Sequence, residues 1–329
     1  MSHSRYNFPM PYGWFQVAYS MDVESGQSKC LRYFGQDLVV FRGEDGVAQV
    51  IDAYCPHQGA HLGKCLHNQN GANIEGNNIV CPFHGWKFDR RGHVAEIPYA
   101  KNIPPRAKDK QVLKTWPTVE RNQLIWVWYH PDEAVSPMWE VESLPELDNT
   151  SSSWSPLSRE KSRCWQIPTI PQEIAENAID YAHFIYVHQV KSTPIPDAQV
   201  FEQHRSSRTV NADMETPKGI VKGGISSQSH GPGQGWTRFS GITDTLLLGN
   251  VTPVDENTTE VNFSFSQPMV NGEVPTGGVH EAIIADICKQ LDEDTIIWES
   301  KIYREDPLLC DGDGPVAKFR RHYAQFYAN

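Results

Sequence analysis

Four residues in two short loops carry the chemistry that stands out in this 329-residue chain: Cys55 and His57 in YCPHQGAHLG, and Cys81 and His84 in CPFHGWKFD. Each loop offers one thiolate and one imidazole. Two sulfur and two nitrogen donors can close a zinc tetrahedron, or hold a [2Fe-2S] cluster with two histidines on one iron and two cysteines on the other. Zinc fingers favour a close Cys pair followed by a helix that carries both histidines. Here each loop carries a mixed pair and lies between strand-like runs, which suits a cluster whose two irons differ chemically. That the four merely fill a β domain is the weaker reading, because His is not a usual filler of paired Pro/Gly loops. His61, Cys65 and His67 lie close by, but four donors already complete the site, so they are read as loop residues.

A second run, AENAIDYAHFIYVHQV over residues 175–190, is apolar enough for a buried helix and yet contains Asn177, Asp180, His183 and His188. Asn and Asp are poor choices for a helix interior without a task. Either His alone could be a satisfied core residue; the whole string is harder to dismiss. An α-helix turns about 100° per residue, so His183 and His188 would point about 140° apart on an ideal one. Sharing one metal therefore requires a π turn or a helix end between them, and such an irregularity is expected here.

The elements that must position these groups fall into two parts. Up to about residue 130 the chain reads as short strands, LVVFRG, AQVIDAYC, NNIVCPFHGWKFD and LIWVWYH, separated by turn clusters such as GEDG and RRG. An acidic, Ser- and Pro-rich stretch at 132–156 reads as a linker or boundary. Beyond it come the apolar helix, alternating strands in GWTRFSGITDTLLLGNVTPV and TTEVNFSFSQPMV, and a helical region from Gly278 to Asn329. Helices and strands that are segregated give an α+β expectation. The net charge of −11 argues against nucleic acid or an anionic membrane as the main partner. No run of 18 apolar residues appears, and the seven cysteines are odd in number and dispersed, unlike a disulfide scaffold. The expectation is a soluble, cytoplasmic protein.

Cys55, Pro56, His57, Cys81, Pro82, His84, Gly85 and Trp86 match position by position the two loops of Rieske proteins, which the chain resembles. One departure is the 23 residues (58–80) between His57 and Cys81. That is about seven more than the resemblance leads one to expect, and the excess is placed in the polar HNQNGAN segment as a surface extension. The second half resembles Rieske non-haem iron oxygenases, whose catalytic domains carry Asn or Asp, then D-x-x-H-x4-H, and a distant Asp. The resemblance implies that His183, His188 and Asp294 hold a mononuclear Fe(II), leaving the opposite face free for O2. Asp294 is selected because it stands four residues before Trp298, with Asp286, Asp292 and Glu293 as competing acids. Asp180 is implied to hydrogen-bond His183 and to link it to His84 of a neighbouring subunit, and Asn177 to sit close to the iron.

The same resemblance implies an N-terminal antiparallel β Rieske domain (1–135), a helix-grip catalytic domain (136–329) and a homotrimer. Electrons would come from a separate NAD(P)H-dependent reductase or ferredoxin, since this chain lacks a Gly-rich dinucleotide fingerprint. The segment from CPFHGWKFD to LIWVWYHPD, PQEIAENAIDYAHFIYVH and the ending DGPVAKFRRHYAQFY resemble the branch of 3-ketosteroid 9α-hydroxylases and cholesterol 7-desaturases. A bulky, apolar, steroid-like substrate is then expected, hydroxylated with O2. The alternatives are desaturation, or demethylation of an aromatic or heterocyclic molecule. A Rieske electron-transfer protein or a zinc-binding module are the remaining rivals.

Overall fold

The computed structural model describes residues 5–65, 71–148, 153–190, 195–216 and 219–328, the side chains of 212–216 excepted. The chain forms two compact units, Gln16–Trp139 and the residues up to Phe15 together with Glu140–Asn329. Among the described residues no helix is long and apolar enough to cross a membrane.

In the first unit the strands run β1 (Gly13–Tyr19, entering the unit at Gln16), β2 (Ser28–Tyr33), β3 (Gln36–Arg42), β4 (Ala48–Asp52), β5 (Asn73–Glu75), β6 (Asn78–Val80), β7 (Lys87–Phe88), β8 (Val94–Glu96), β9 (Thr118–Arg121) and β10 (Leu124–Tyr129). They build three small sheets, β1-β10-β9, β2-β3-β4 and β5-β6-β7-β8. Sequence pattern explains their places. Central β3 buries Leu38, Val39, Val40 and Phe41 in succession, as a strand covered on both faces must, whereas edge strand β2 alternates buried Leu31 and Tyr33 with exposed Cys30 and Arg32. Asn122 and Gln123 both take positive φ in the two-residue connection that turns β9 into β10, the handedness a tight hairpin needs. Cys55 and Cys81 belong to one apolar cluster with Val39, Phe41, Ile51, Leu62, Ile79 and Phe88, so the first loop pair is rooted in the core. Most of the expected loop extension, residues 67–70 with His67, lies outside the described residues.

The second unit follows as β11 (Ser162–Ile167), α1 (Pro171–Asn177), α2 (His183–Tyr186), β12 (Ala198–Glu202), β13 (Arg205–Thr216), β14 (Gly219–His230), β15 (Gln234–Ser240), β16 (Thr245–Pro253), β17 (Thr259–Ser266), α3 (Gly278–Trp298) and α4 (Val316–Tyr323). Its seven-stranded antiparallel sheet runs β11-β17-β16-β15-β14-β13-β12, a meander closed at one edge by the earliest strand. Helix α3 packs on this sheet. Leu291 and Trp298 join Ile167, Val251 and Val261, and Cys288 joins Leu247 and Phe265. The α+β expectation therefore holds, with antiparallel sheets dominating.

Two expectations are corrected. The segment 175–190 is not one helix: α1 ends at Asn177, Ile179–Tyr181 are irregular, and α2 occupies only His183–Tyr186. The carbonyl of Ile179 is turned against Gly314, where an added Cβ would lie 1.6 Å from that oxygen, so the break is shaped by a close backbone approach from far along the chain. The closing region is likewise two helices, α3 and α4, separated by the Pro- and Gly-punctuated stretch 299–315.

Candidate metal centres

The two Cys/His loops of the first unit share one backbone design. In each, the Cys carbonyl accepts from a Gly N–H four residues on, Gly59 to Cys55 at 2.9 Å and Gly85 to Cys81 at 3.0 Å. In each the Cys N–H is tied back, to Ala60 O at 2.9 Å and to Trp86 O at 2.8 Å. Both glycines take positive φ, which only Gly adopts without strain. On these matched frames His stands at the second position after Cys in one loop and the third in the other. The rings come to 4.8 Å between centroids, and His57 stacks on Trp86 at 4.6 Å and 11°, which fixes its plane.

Three observations test whether these residues fit a cluster. The Nδ1 atoms of His57 and His84 are buried without a hydrogen-bond partner, a costly state that a metal bond relieves. The hydrogen bond from Cys55 pushes Cys81 down, and the same contact with burial pushes Cys55 up, so the pair favours a thiolate at Cys81. Backbone N–H groups of His57 and Gln58 favour the Cys55 thiolate, and those of Phe83 and His84 favour that of Cys81. Finally, among the described residues the only three or more His, Cys, Asp or Glu with all donor atoms within 4.8 Å lie elsewhere in the chain. The two sulfurs are close enough to share a hydrogen bond, a spacing that two thiolates on one tetrahedral metal ion also take.

That other group is His183, His188 and Asp294. His183 opens α2, and the helix ends at Tyr186, so a helix end separates it from His188, as the five-residue spacing requires. The rings stand 5.1 Å apart at 79°. Asp294 comes from α3, where it shares the buried stripe with Cys288, Leu291 and Trp298. Its competitors are not buried with it: Asp286 lines the same cavity but is exposed, Asp292 accepts from Arg163 and Trp165, and Glu293 accepts from His188.

The polar contacts fix which nitrogens are free. His183 Nδ1 donates to the Asp180 carbonyl at 2.5 Å, and His188 Nδ1 donates to Glu293 Oε2 at 2.9 Å. Each ring is thereby held in the tautomer whose Nε2 carries the lone pair. Those Nε2 atoms lie 3.9 and 3.3 Å from Asp294 Oδ1. Asn177 Nδ2 donates to Asp294 Oδ2 at 2.9 Å and stands 3.2 Å from His183 Nε2, touching two of the three donors. Burial pushes Asp294 up to about 6 and pushes His183 down, so the pocket disfavours charge until a cation supplies compensation. Within this chain the Asp180 carboxylate stands 3.9 Å from His183 Nδ1, and its side chain remains 44% exposed. Of the apolar residues in the same run, Ile179 and Tyr181 are buried, whereas Ile185 and Tyr186 face outward.

Glu293 was legible only as a rival ligand, although a carboxylate beside a ligating His is a recurrent signal for an orienting partner. Its hydrogen bond with His188 holds it below the usual carboxylate range. Glu293→Gln is expected to weaken iron binding about 10- to 100-fold, read by chelator competition. A change below about twofold would remove Glu293 from that role.

These groups open on a cavity of about 1020 Å³ lined by both histidines, Asp294 and Asn177, with Val210, Trp236, Leu247, Phe263 and Leu291 among its apolar walls. Of the wall strands, β15 falls almost wholly within the strand run GWTRFSGITDTLLLGNVTPV read from the sequence, whereas β12–β14 were not recognised there.

Family models match both parts of the chain. Residues 13–117 match the Rieske [2Fe-2S] domain and residues 127–327 the 3-ketosteroid 9α-hydroxylase C-terminal domain. The chain is similar to a 3-ketosteroid-9-alpha-monooxygenase oxygenase component of Rhodococcus rhodochrous, 30% identical over 96% of this chain and 81% of that one. It is equally similar to a cholesterol 7-desaturase of Caenorhabditis elegans, 30% identical over 96% and 77%. Among solved structures, dicamba monooxygenase bound to dicamba aligns with a TM-score of 0.71 at 16% identity, covering 95% of this chain and 96% of that one. The Pseudomonas putida NdmA QL mutant with theobromine gives 0.71 at 19%, covering 94% and 88%. At such identities these two report the fold alone.

Proposed function

The chain belongs to the Rieske oxygenases, in the branch that shares the 3-ketosteroid 9α-hydroxylase C-terminal domain, and from that premise we propose that it hydroxylates a bulky, mostly apolar, steroid-like molecule. It is the terminal oxygenase component of such a system and takes its electrons from a separate reductase. The observation that carries the substrate reading is the large, mainly apolar cavity onto which His183, His188 and Asp294 face. Its volume lies at the upper end of small-molecule sites, roomy enough for a fused-ring body.

In this reading Cys55 and Cys81 hold one iron of the cluster and His57 and His84 the other, within a Rieske domain over 1–135. His183, His188 and Asp294 hold the mononuclear iron of a catalytic domain over 136–329. Bound there, Fe(II) supplies O2 activation with electrons that arrive through the [2Fe-2S] cluster. The protein's own part is orientation and exclusion. Glu293 and the Asp180 carbonyl fix the imidazoles, Asn177 steadies Asp294, and the apolar wall keeps water from the substrate. The outward-facing Asp180 carboxylate supports a head-to-tail homotrimer, in which it links His183 to His84 of the next subunit. The assembly works in the cytoplasm with an NAD(P)H-dependent reductase.

The test is composition and product together. Iron and acid-labile sulfide should stand at about three to two, from one cluster and one further iron. With reductase and NAD(P)H, a panel of steroids and aromatics should yield hydroxylated steroid. Two irons with two sulfides would mark an electron carrier, and products from aromatics alone would overturn the steroid reading.

A further inference from the structure

The cavity has a charged end that an all-apolar substrate does not use. Cross-strand partners lie on one face of a sheet, and the register sets Gln199, Arg208, Ser227, Thr237 and Leu247 in one row across β12 to β16. All five line the cavity, and the row passes from amide and guanidinium through two hydroxyls to a buried leucine. Thr237 Oγ1 donates to Ser227 Oγ at 3.0 Å, so the hydroxyl pair satisfies itself. Tyr181 likewise donates to Gln199.

Arg208 is different. Nη1 donates to the Ala178 carbonyl, Nε is buried without a partner, and among the described residues no carboxylate lies within ion-pair distance of the guanidinium. Burial pushes its pKa down, and of the titratable groups around it only Tyr181 acts in the opposite sense. A half-buried guanidinium whose Nε is out of water is unfavourable without an anion, unless something else brings one. The chain shows what the free edge of such a group binds. Arg238 grips Glu146 through Nε and Nη2 at 2.5 and 3.0 Å, and Arg320 grips Glu176 through the same two nitrogens at 2.7 and 2.7 Å. On Arg208 this fork is left free at the cavity wall.

We propose that Arg208 is a specificity-determining residue that receives a carboxylate of the substrate through its Nε and Nη2 fork, so that the preferred molecule is an apolar body with an acid group at one end. The inference rests on the oxygenase reading and narrows its substrate class. Gln199 and Ser227, its neighbours in the row, complete a polar seat, while Leu247 and the apolar walls beyond hold the ring system. The planar fork matches two carboxylate oxygens in a way that a lysine ammonium does not.

Calorimetric titration of the holoenzyme tests this with two pairs of probes, an androstene carboxylate with its methyl ester and naphthoate with its methyl ester. The acid of a pair should bind at least about tenfold more tightly than its ester. Arg208→Gln should abolish the preference with the ester's affinity and the iron content unchanged, and Arg208→Lys should restore part of it. If neither acid outbinds its ester, or if Arg208→Gln weakens acid and ester equally, the proposal is overturned and Arg208 is a strut for the Ala178 carbonyl. Acid preference in the naphthoate pair while neither steroid binds upholds Arg208 and rejects the steroid reading. Equal binding of steroid acid and ester does the reverse.

Discussion

Asp294→Ala will give a protein that keeps the colour of its cluster and loses turnover. The carboxylate is the sole anionic member of the His183, His188 and Asp294 group, and it reaches both Nε2 atoms through one oxygen. Two neutral imidazoles alone hold Fe(II) poorly, and losing the metal removes several kcal/mol of transition-state stabilisation, at least about 10³-fold in rate. The cluster loops belong to the other compact unit, so acid-labile sulfide and the visible spectrum should not change. Iron should fall from about three to about two per two sulfides. Retention of the third iron would remove Asp294 from the ligand set. The metal-free protein carries a second consequence with a definite sign. Asp294 is raised from 3.8 to about 6 in the folded state, so its contribution to stability is present below about pH 4 and is lost as pH rises through about 6. The difference is about 3 kcal/mol. Asp294→Asn should therefore raise the melting temperature of the metal-free protein at neutral pH, while iron stabilises only the parent chain. Thermal melts of the two, with and without iron, check this.

Cys81→Ser should abolish the cluster altogether. Serine cannot supply a thiolate, and Cys81 is both buried in the core of its unit and the sulfur whose proton is most easily lost. Without it the partnerless Nδ1 atoms of His57 and His84 remain buried and unsatisfied. Acid-labile sulfide and visible colour should disappear, turnover with a reductase should cease, and the first unit should melt earlier, because metal binding contributes to folding directly. The mononuclear iron should remain. A variant that still contained sulfide would show that Cys81 is not a ligand.

The legible parts of this protein are those whose determinants are close in sequence. Cys55 with His57 and Cys81 with His84 announce themselves because each pair sits on one five-residue loop, and the glycines that shape those loops are part of the same strings. Asp294 could be placed only through the resemblance, which sets it four residues before Trp298; in α3 it shares a buried stripe with Leu291 and Trp298. The break within 175–190 was legible only at its far end, where the His spacing demanded it. At its near end the causes are the Asp180 carbonyl bonded to His183 and the approach of Gly314 to Ile179, and the second of these comes from a segment far along the chain. The cavity wall was the least legible. Strands such as GIVKGGISSQSH face a hollow rather than a packed core, so polar and small residues stand where alternation would call for apolar ones.

None of the three candidate iron donors lies on the seven-stranded sheet: His183 and His188 belong to α2 and the residues after it, and Asp294 to α3. The strands that wall the cavity can therefore exchange side chains over generations without disturbing the residues that hold the metal. Duplicated copies of such a gene can diverge in what they oxidise while inheriting the same oxidant, because selection on diet and selection on chemistry fall on different elements of one fold.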